Sequence, residues 1–105
     1  MILSSDLWVY ALIRRAQLAG AYATVLRRGD ARGGAVLVKT VNRKTGDANL
    51  YAQAVGGQGE TLWMQPLSGP EADLEAYLKR AAGRDPDIWV VEIEDADGAR
   101  FLTEG

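Results

Sequence analysis

Apolar and polar residues alternate along this chain with two different periods, which predict where helices and strands lie. Two segments repeat their apolar residues every three to four positions, the spacing of one face of an α-helix. The first follows residues 4–6 (Ser-Ser-Asp), which can cap a helix running to about Ala19, and Gly20 stands where a helix end favours glycine. Its early part, residues 7–13, also fits a buried strand, because periodicity does not separate the two in a short apolar run.

The second helical segment has the stronger start signal. Ser68 and Glu71 have the spacing of a capping box. Apolar side chains then form one face of the segment, namely Leu74, Tyr77, Leu78 and Ala81. Glu75 and Lys79 are four residues apart, in the order that favours an ion pair. The pattern predicts a helix between Ser68 and Gly83.

The rest of the chain alternates with the period of two expected of strands, and glycine-rich turns interrupt it. The predicted strands are residues 22–28, 35–41, 49–55, 60–67, 88–94 and 99–103. Trp89, Val91 and Ile93 fall on one face of their strand and should enter the core. The order of elements indicates one α+β domain over residues 1–105. We expect a mainly antiparallel sheet of about five or six strands, with two helices packed on one face.

The composition removes several kinds of chemistry. The 105 residues are 48% apolar and 25% charged, which is normal for a globular domain. Cysteine and histidine are both absent, so disulfides, cysteine-based zinc sites and the Ser-His-Asp and Cys-His catalytic arrangements cannot be built. We predict no cofactor and no metal site. The apolar run near the N-terminus is too short to span a membrane and lacks the basic region of a signal peptide, so we expect a cytoplasmic location.

The net charge of −2 hides an uneven distribution. Residues 1–46 carry eight basic and two acidic side chains, a net charge of +6. Residues 47–105 carry four basic and twelve acidic side chains, a net charge of −8. Such a split can mark an interaction surface, or the two halves can fold side by side and neutralise each other.

Four segments carry a resemblance to a known family. They are Leu7-Trp8-Val9 with Arg14-Arg15, Arg28-Gly29-Asp30, Gly-Ala-Val-Leu-Val-Lys at 34–39, and above all Asp-Pro-Asp-Ile-Trp-Val-Val-Glu-Ile-Glu-Asp at 85–95. Over nearly its whole length, the chain resembles the alphaproteobacterial family catalogued as domain of unknown function 1491. The resemblance implies a short, standalone bacterial protein. It implies no activity and no catalytic residues, because the family has no assigned function.

Basic side chains of the first half form the most suggestive candidate site. They are Arg27, Arg28, Arg32, Lys39, Arg43 and Lys44, all on predicted strands and turns. Tyr22 and Tyr51 are aromatic side chains on which bases could stack, and nucleic-acid-binding proteins combine such aromatics with a basic stripe. The pI of about 5.0 argues against a dedicated nucleic-acid binder, and the acidic residues of 92–97 can neutralise the stripe.

Carboxylates offer a second candidate site. Glu92, Glu94 and Asp95, with Asp85 or Asp87 nearby, could hold a divalent cation through carboxylate oxygens. Glu92 and Glu94 fall on the same side of their predicted strand. The simpler interpretation is a solvated polar face opposite the apolar one, because runs of charge are usually solvated.

Three hypotheses about function follow. The leading one is a noncatalytic binding or accessory module that acts through a protein partner or as a homo-oligomer, without an enzymatic activity and away from membranes. The alternative is a nucleic-acid-binding module that uses the basic surface of the N-terminal half. The third is an enzyme that uses carboxylates alone or with a metal ion, since carboxylate pairs suffice for some hydrolases.

Overall fold

Within residues 4–55, 57–58 and 61–102, which the computed structural model describes, there are two α-helices and five β-strands. The helices are α1 (Ser5–Leu18) and α2 (Glu71–Arg84). The strands are β1 (Tyr22–Arg27), β2 (Val36–Val41), β3 (Asp47–Val55), β4 (Thr61–Pro70) and β5 (Trp89–Glu94). A 3₁₀ helix, Gly98–Leu102, follows β5. The predicted α+β class and strand number are confirmed.

The amino-terminal segment is a helix rather than a strand. Val9, Leu12 and Ala16 are buried at helical spacing on one side of α1. The chain leaves the helix at Ala19, and Gly20 has a φ of 89°, a conformation that other residues rarely adopt. In the part of the chain that the structure describes, no helix is long and apolar enough to cross a membrane.

Helix α2 begins at Glu71 without the predicted Ser68 cap. Ser68 lies opposite Asn49 in the pairing of β3 with β4. Pro70 is the last residue of β4 and the N-cap of α2, and no side chain donates to or accepts from the helix end there. The strand extends to Pro70 because pairing with β3 satisfies backbone groups that a capping turn would leave to a single side chain.

The order of strands across the sheet is β1-β5-β2-β3-β4. Strands β2, β3 and β4 form an antiparallel meander, and β1 pairs with β5 in the antiparallel sense. Helix α2 then carries the chain back across the sheet, so that β5 enters between β1 and β2 and runs parallel to β2. The sheet is therefore mixed but mostly antiparallel.

The two helices lie on opposite faces of the sheet, so the prediction that both pack on one face is wrong. Along β5, Trp89, Val91 and Ile93 pack with α1 and the 3₁₀ helix, whereas Val90 packs with α2. Strands β2 and β5 are at the centre of the sheet and carry apolar residues on both sides. A sheet whose central strands are apolar on both sides needs a covering layer on each.

The predicted last strand, residues 99–103, is also wrong where the structure describes it. Residues up to Leu102 form the 3₁₀ helix, which packs Phe101 and Leu102 into the α1 side of the core. A Cβ atom on Gly98 would lie 2.9 Å from Cγ2 of Thr40, so glycine permits this close approach. Trp63 Nε1 donates to the carbonyl oxygen of Leu102 at 3.1 Å. The segment thus closes the core instead of extending the sheet.

Candidate functional site

The basic residues proposed to bind nucleic acid do not form one surface. Arg27, Arg28 and Arg32 lie at the amino end of β2, whereas Arg43 and Lys44 follow its carboxyl end. The six residues of β2 span about 20 Å between these two groups. The sixth basic residue lies within β2 and is buried.

This sixth residue, Lys39, has the most buried charged side chain of the described chain, with 1% of it exposed. Its Nζ lies 2.7 Å from Glu71 Oε2 and 2.9 Å from Glu92 Oε1, and it also donates to Glu75 Oε1. Burial lowers the pKa of Lys39, but the hydrogen bonds to three carboxylates outweigh it, so the pKa is above its ordinary value. Lys39 therefore stays charged at neutral pH.

Arg43 extends this group of charges toward solvent. Its Nη1 lies 2.7 Å from Glu71 Oε1, and its Nη2 lies 2.5 Å from Glu94 Oε1. The hydrogen bonds that Arg43 donates to Glu94 and Glu71 raise its pKa. Lys39, Arg43, Glu71, Glu75, Glu92 and Glu94 together form what we call the Lys39 cluster. Its two cations are held by carboxylates of the same chain.

The Lys39 cluster also settles the placement of the predicted carboxylate site. Glu92 and Glu94 share one side of β5, as predicted, but that side is not a solvated face. Glu92 is 9% exposed and accepts from Lys39, and Glu94 accepts from Arg43. Glu75 bonds to Lys39 instead of forming the predicted pair with Lys79. Across residues 4–55, 57–58 and 61–102, no group of three or more acidic, histidine or cysteine side chains is placed to hold a metal ion.

At the other end of β2, the arginines make contacts within the chain. Arg28 Nη1 donates to the hydroxyl of Tyr10 at 2.8 Å, and its guanidinium carbon lies 5.5 Å from the ring centroid of Trp89. The rings of Tyr10 and Trp89 meet edge to face with centroids 6.2 Å apart. Arg27 Nη2 donates to the carbonyl oxygen of Pro86 at 3.0 Å. These contacts orient two arginines but leave them at the surface.

The two tyrosines expected to stack on bases lie on opposite faces of the sheet. Tyr22 is 67% exposed and pairs with Glu94, so its side chain is on the α2 face. Tyr51 packs against the core on the α1 face. They do not form a common stacking surface for a strand of nucleic acid.

A polar pocket of about 250 Å³ lies at the carboxyl ends of the parallel strands β2 and β5. It is lined by Thr40, Asn42, Thr45, Asp47, Asn49, Tyr51 and residues 95–99. Burial and the negative charge of Asp97 raise the pKa of Tyr51. Asp95 is partly neutralised by Arg100. The pocket can accept hydrogen bonds from a polar ligand, and the sequence did not reveal it because three separate segments build its walls.

An apolar groove of about 310 Å³ lies between β1 and α2. Its apolar surface comes from Leu26, Leu78, Ala82 and Val90, and its rim from Arg27, Glu75 and Lys79. We call it the β1–α2 groove. A helix is about 10 Å wide and neighbouring strands are about 4.8 Å apart, so one helix covers about two strands. Helix α2 therefore leaves the β1 side of this face open, which the separate segments of the sequence did not indicate.

Comparison with known proteins places the chain in a family. The sequence profile described as protein of unknown function (DUF1491) matches residues 3–103. The chain belongs to the DUF1491 family. The resemblance seen in the sequence is thereby confirmed, and DUF1491 membership brings no established activity with it. A search of curated proteins finds no match.

Solved structures of DUF1491 proteins share the fold. A crystal structure of a DUF1491 family protein from Caulobacter crescentus CB15 is 64% identical, with a TM-score of 0.92, and the match covers 98% of this chain and 97% of that one. An NMR structure of a DUF1491 family protein from the same source, also 64% identical, has a TM-score of 0.86, with 99% and 96% covered. A solution structure of a protein from A. tumefaciens is 35% identical, with a TM-score of 0.85, and 98% and 94% are covered.

Proposed function

We propose that this chain is a noncatalytic binding module of the cytoplasm that acts through a protein partner, which it engages at the β1–α2 groove. The observation that carries this proposal is the apolar surface that α2 leaves uncovered. Leu26 is 46% exposed and lines the groove together with the buried Leu78 and Val90. Apolar surface that continues a core out to solvent is favourable to cover.

The shape and chemistry of the groove support a protein partner over other ligands. Small-molecule sites bury most of their ligand, whereas this groove is open along the edge strand β1. Nucleic acid binds to a continuous stripe of cations, but Lys39 and Arg43 are engaged by carboxylates. The absence of cysteine and histidine, and a buried lysine held in its charged form, support a noncatalytic role.

Site-specific photo-crosslinking in the native cells tests the proposal. A photoreactive amino acid is placed at Leu26 or Lys79 in the groove, and at Arg80, which is exposed on the same helix but does not line the groove. We expect the two groove positions to give one and the same adduct with a different protein, and Arg80 to give none. No adduct from the groove, or equal adducts from all three positions, contradicts the proposal. An adduct of two copies of this chain supports the homo-oligomer alternative instead.

A further inference from the structure

We propose that the element filling the β1–α2 groove is an amphipathic α-helix of another protein, with acidic residues flanking its apolar stripe. This rests on the proposed function and names the chemistry of the partner. Helices that dock into grooves are recognised by an apolar stripe that repeats every three to four residues. Three features of the groove favour such a partner. They are its width, the charge of its rim, and the fact that the exposed helix of a second copy has a charge of the same sign as the rim.

The space beside α2 has the dimensions of a helix. Five strands place the outer strand axes roughly 19 Å apart, and α2 covers about half of that width. Leu78 and Ala82 are four residues apart on α2, so they form one ridge along the wall of the groove. Leu26 and Val90 supply the floor from the neighbouring strands β1 and β5. A second helix could pack against this ridge at the usual axis distance of about 8–10 Å.

Two of the three charged side chains on the rim of the groove are cations, so the rim has a formal charge of +1. Within the described residues, neither Arg27 nor Lys79 forms an ion pair. Arg27 donates to the carbonyl oxygen of Pro86, and its buried Nε has no hydrogen-bond partner. The third, Glu75, turns its carboxylate to Lys39, which it shares with Glu71 and Glu92. Acidic side chains on either side of an apolar stripe would complement Arg27 and Lys79.

A second copy of this chain offers the wrong charge. In the described chain, the helix face with large exposed apolar side chains is on α1, where Leu7 is 57% and Leu18 is 76% exposed. Arg14 lies on that same face, between these two residues. Docking α1 of a second copy would bring Arg14 toward Arg27 and Lys79, and like charges at an interface are unfavourable. The rim therefore favours a different protein.

Two synthetic peptides test the inference directly on the purified full chain. Both are stapled into a helix and share the same leucine stripe, but glutamate flanks the stripe in one and lysine in the other. Each is titrated into the ¹⁵N-labelled protein and followed by NMR. We expect the glutamate peptide to shift the amides of Leu26, Leu78 and Val90, with a Kd about tenfold lower than that of the lysine peptide at low salt.

Charge reversal at the rim provides the matched variant. In Arg27→Glu with Lys79→Glu, we expect the preference to reverse in favour of the lysine peptide. Lys44→Glu with Arg80→Glu changes the net charge by the same amount away from the groove and should leave the preference unchanged. Circular dichroism establishes that both variants are folded. Equal affinities for the two peptides, a preference of the unaltered chain for lysine, or no shift of groove amides at millimolar peptide would overturn the inference.

Identification of the segment crosslinked to Leu26 separates this inference from the proposed function. An acidic amphipathic helix in the adduct supports both. A basic segment, or an extended strand paired with β1, overturns the acidic helix while a protein partner at the groove stands. If no adduct forms in cells, the proposed function fails, and the peptide titrations still decide what the groove itself can bind.

Discussion

The two faces of the sheet differ in how completely they are covered. On the α1 face, α1 and the 3₁₀ helix together enclose Trp89, Val91 and Ile93. On the other face, α2 alone covers the sheet. Its Leu74 is buried in one cluster with Leu50, and an open groove remains on its β1 side. The three enclosed side chains of the closed face are fully withdrawn from solvent, whereas Leu26 at the open groove is 46% exposed. The proposed partner would cover this exposed apolar surface.

The same two faces differ in charge. The Lys39 cluster lies on the α2 face, because Lys39, Glu92 and Glu94 occupy the positions of β2 and β5 that alternate with the apolar residues facing α1. Both cations of the cluster come from the positive half of the sequence, and its carboxylates come from the negative half. Two of the eight basic side chains of residues 1–46 and four of the twelve acidic side chains of residues 47–105 thus meet in this cluster.

The largest effect on stability is expected from the closed face. Trp89→Ala should lower the free energy of unfolding by about 3–5 kcal/mol, because Trp89 is fully buried and its Nε1 donates to the carbonyl oxygen of Asp30. Tyr22→Ala, on the open face, should change it by no more than about 0.5 kcal/mol. Urea unfolding measures both. Similar losses in the two variants would show that the faces do not differ as described.

A somewhat smaller loss is expected from the Lys39 cluster. Lys39→Met should lower the free energy of unfolding by about 3 kcal/mol, because the buried Glu92 loses its nearer cation and keeps only Arg43, whose Nη2 is 3.7 Å from Glu92 Oε1. Combining it with Glu92→Met should restore about half of the loss, since an apolar pair needs no compensation. Urea unfolding at neutral pH tests this. A single variant as stable as the unaltered chain would contradict a structural role for the cluster.

Part of the pH dependence of stability should arise on the α2 face. The hydrogen bond from Lys39 holds the pKa of Glu71 below its ordinary value of 4.5, so its contribution is present above pH 4.5 and is lost as the pH falls through the folded pKa. The pKa of Lys39 is raised, so its contribution is present below 10.5 and is lost only as the pH rises through the folded value.

Urea midpoints at pH 7, 4.5 and about 3 measure this contribution on its acid side. We expect the loss of stability on acidification to be smaller in Lys39→Met than in the unaltered chain. Trp89→Ala, which changes the other face, should keep the slope of the unaltered chain. The same slope in Lys39→Met and the unaltered chain would assign the acid sensitivity to other carboxylates.

The smallest effect on stability is expected from a substitution in the groove, although the same substitution should abolish binding of the partner. Leu26→Ser should change the free energy of unfolding by about 0.5 kcal/mol, because the side chain is already half exposed. It should nevertheless abolish the adduct formed from a crosslinker at Lys79. Leu7→Ser, a matched change on the outer face of α1, should leave that adduct intact. Loss of the adduct in both variants, or in neither, would remove the groove as the binding surface.

Elements with a local cause were predictable from the sequence. The helical spacing of Val9, Leu12 and Ala16 and the glycine at position 20 lie within one segment, and α1 ends where they indicate. The predicted Ser68 cap is wrong because Ser68 pairs with Asn49 of the neighbouring strand β3 instead of capping α2. The predicted last strand is wrong because Phe101 and Leu102 are buried in the hydrophobic core on the α1 face. A prediction from local sequence is wrong where the backbone or a side chain makes more favourable contacts with a segment distant in the sequence.

The sequence held two signals about the site and the sheet that are clear only in retrospect. Lys39 stands in an almost wholly apolar strand, and a buried lysine requires carboxylate partners. Strands β2 and β5 are apolar at both odd and even positions, which indicates a layer on each face of the sheet. The β1–α2 groove left no such signal, because Leu26, Leu78 and Val90 are adjacent only after α2 crosses the sheet.

The amino-acid sequence by itself determined five strands, the second helix, the α+β class and the chemistry that is excluded, because periodicity and composition act within a segment or on the chain as a whole. Tertiary structure alone decided which face each helix covers, that Lys39 and Arg43 bond to carboxylates of the same chain, and that an apolar strip beside β1 stays open. These features depend on the position of β5 in the sheet, which is set by the crossover through α2. The strip stays open because a single helix is too narrow to cover five strands.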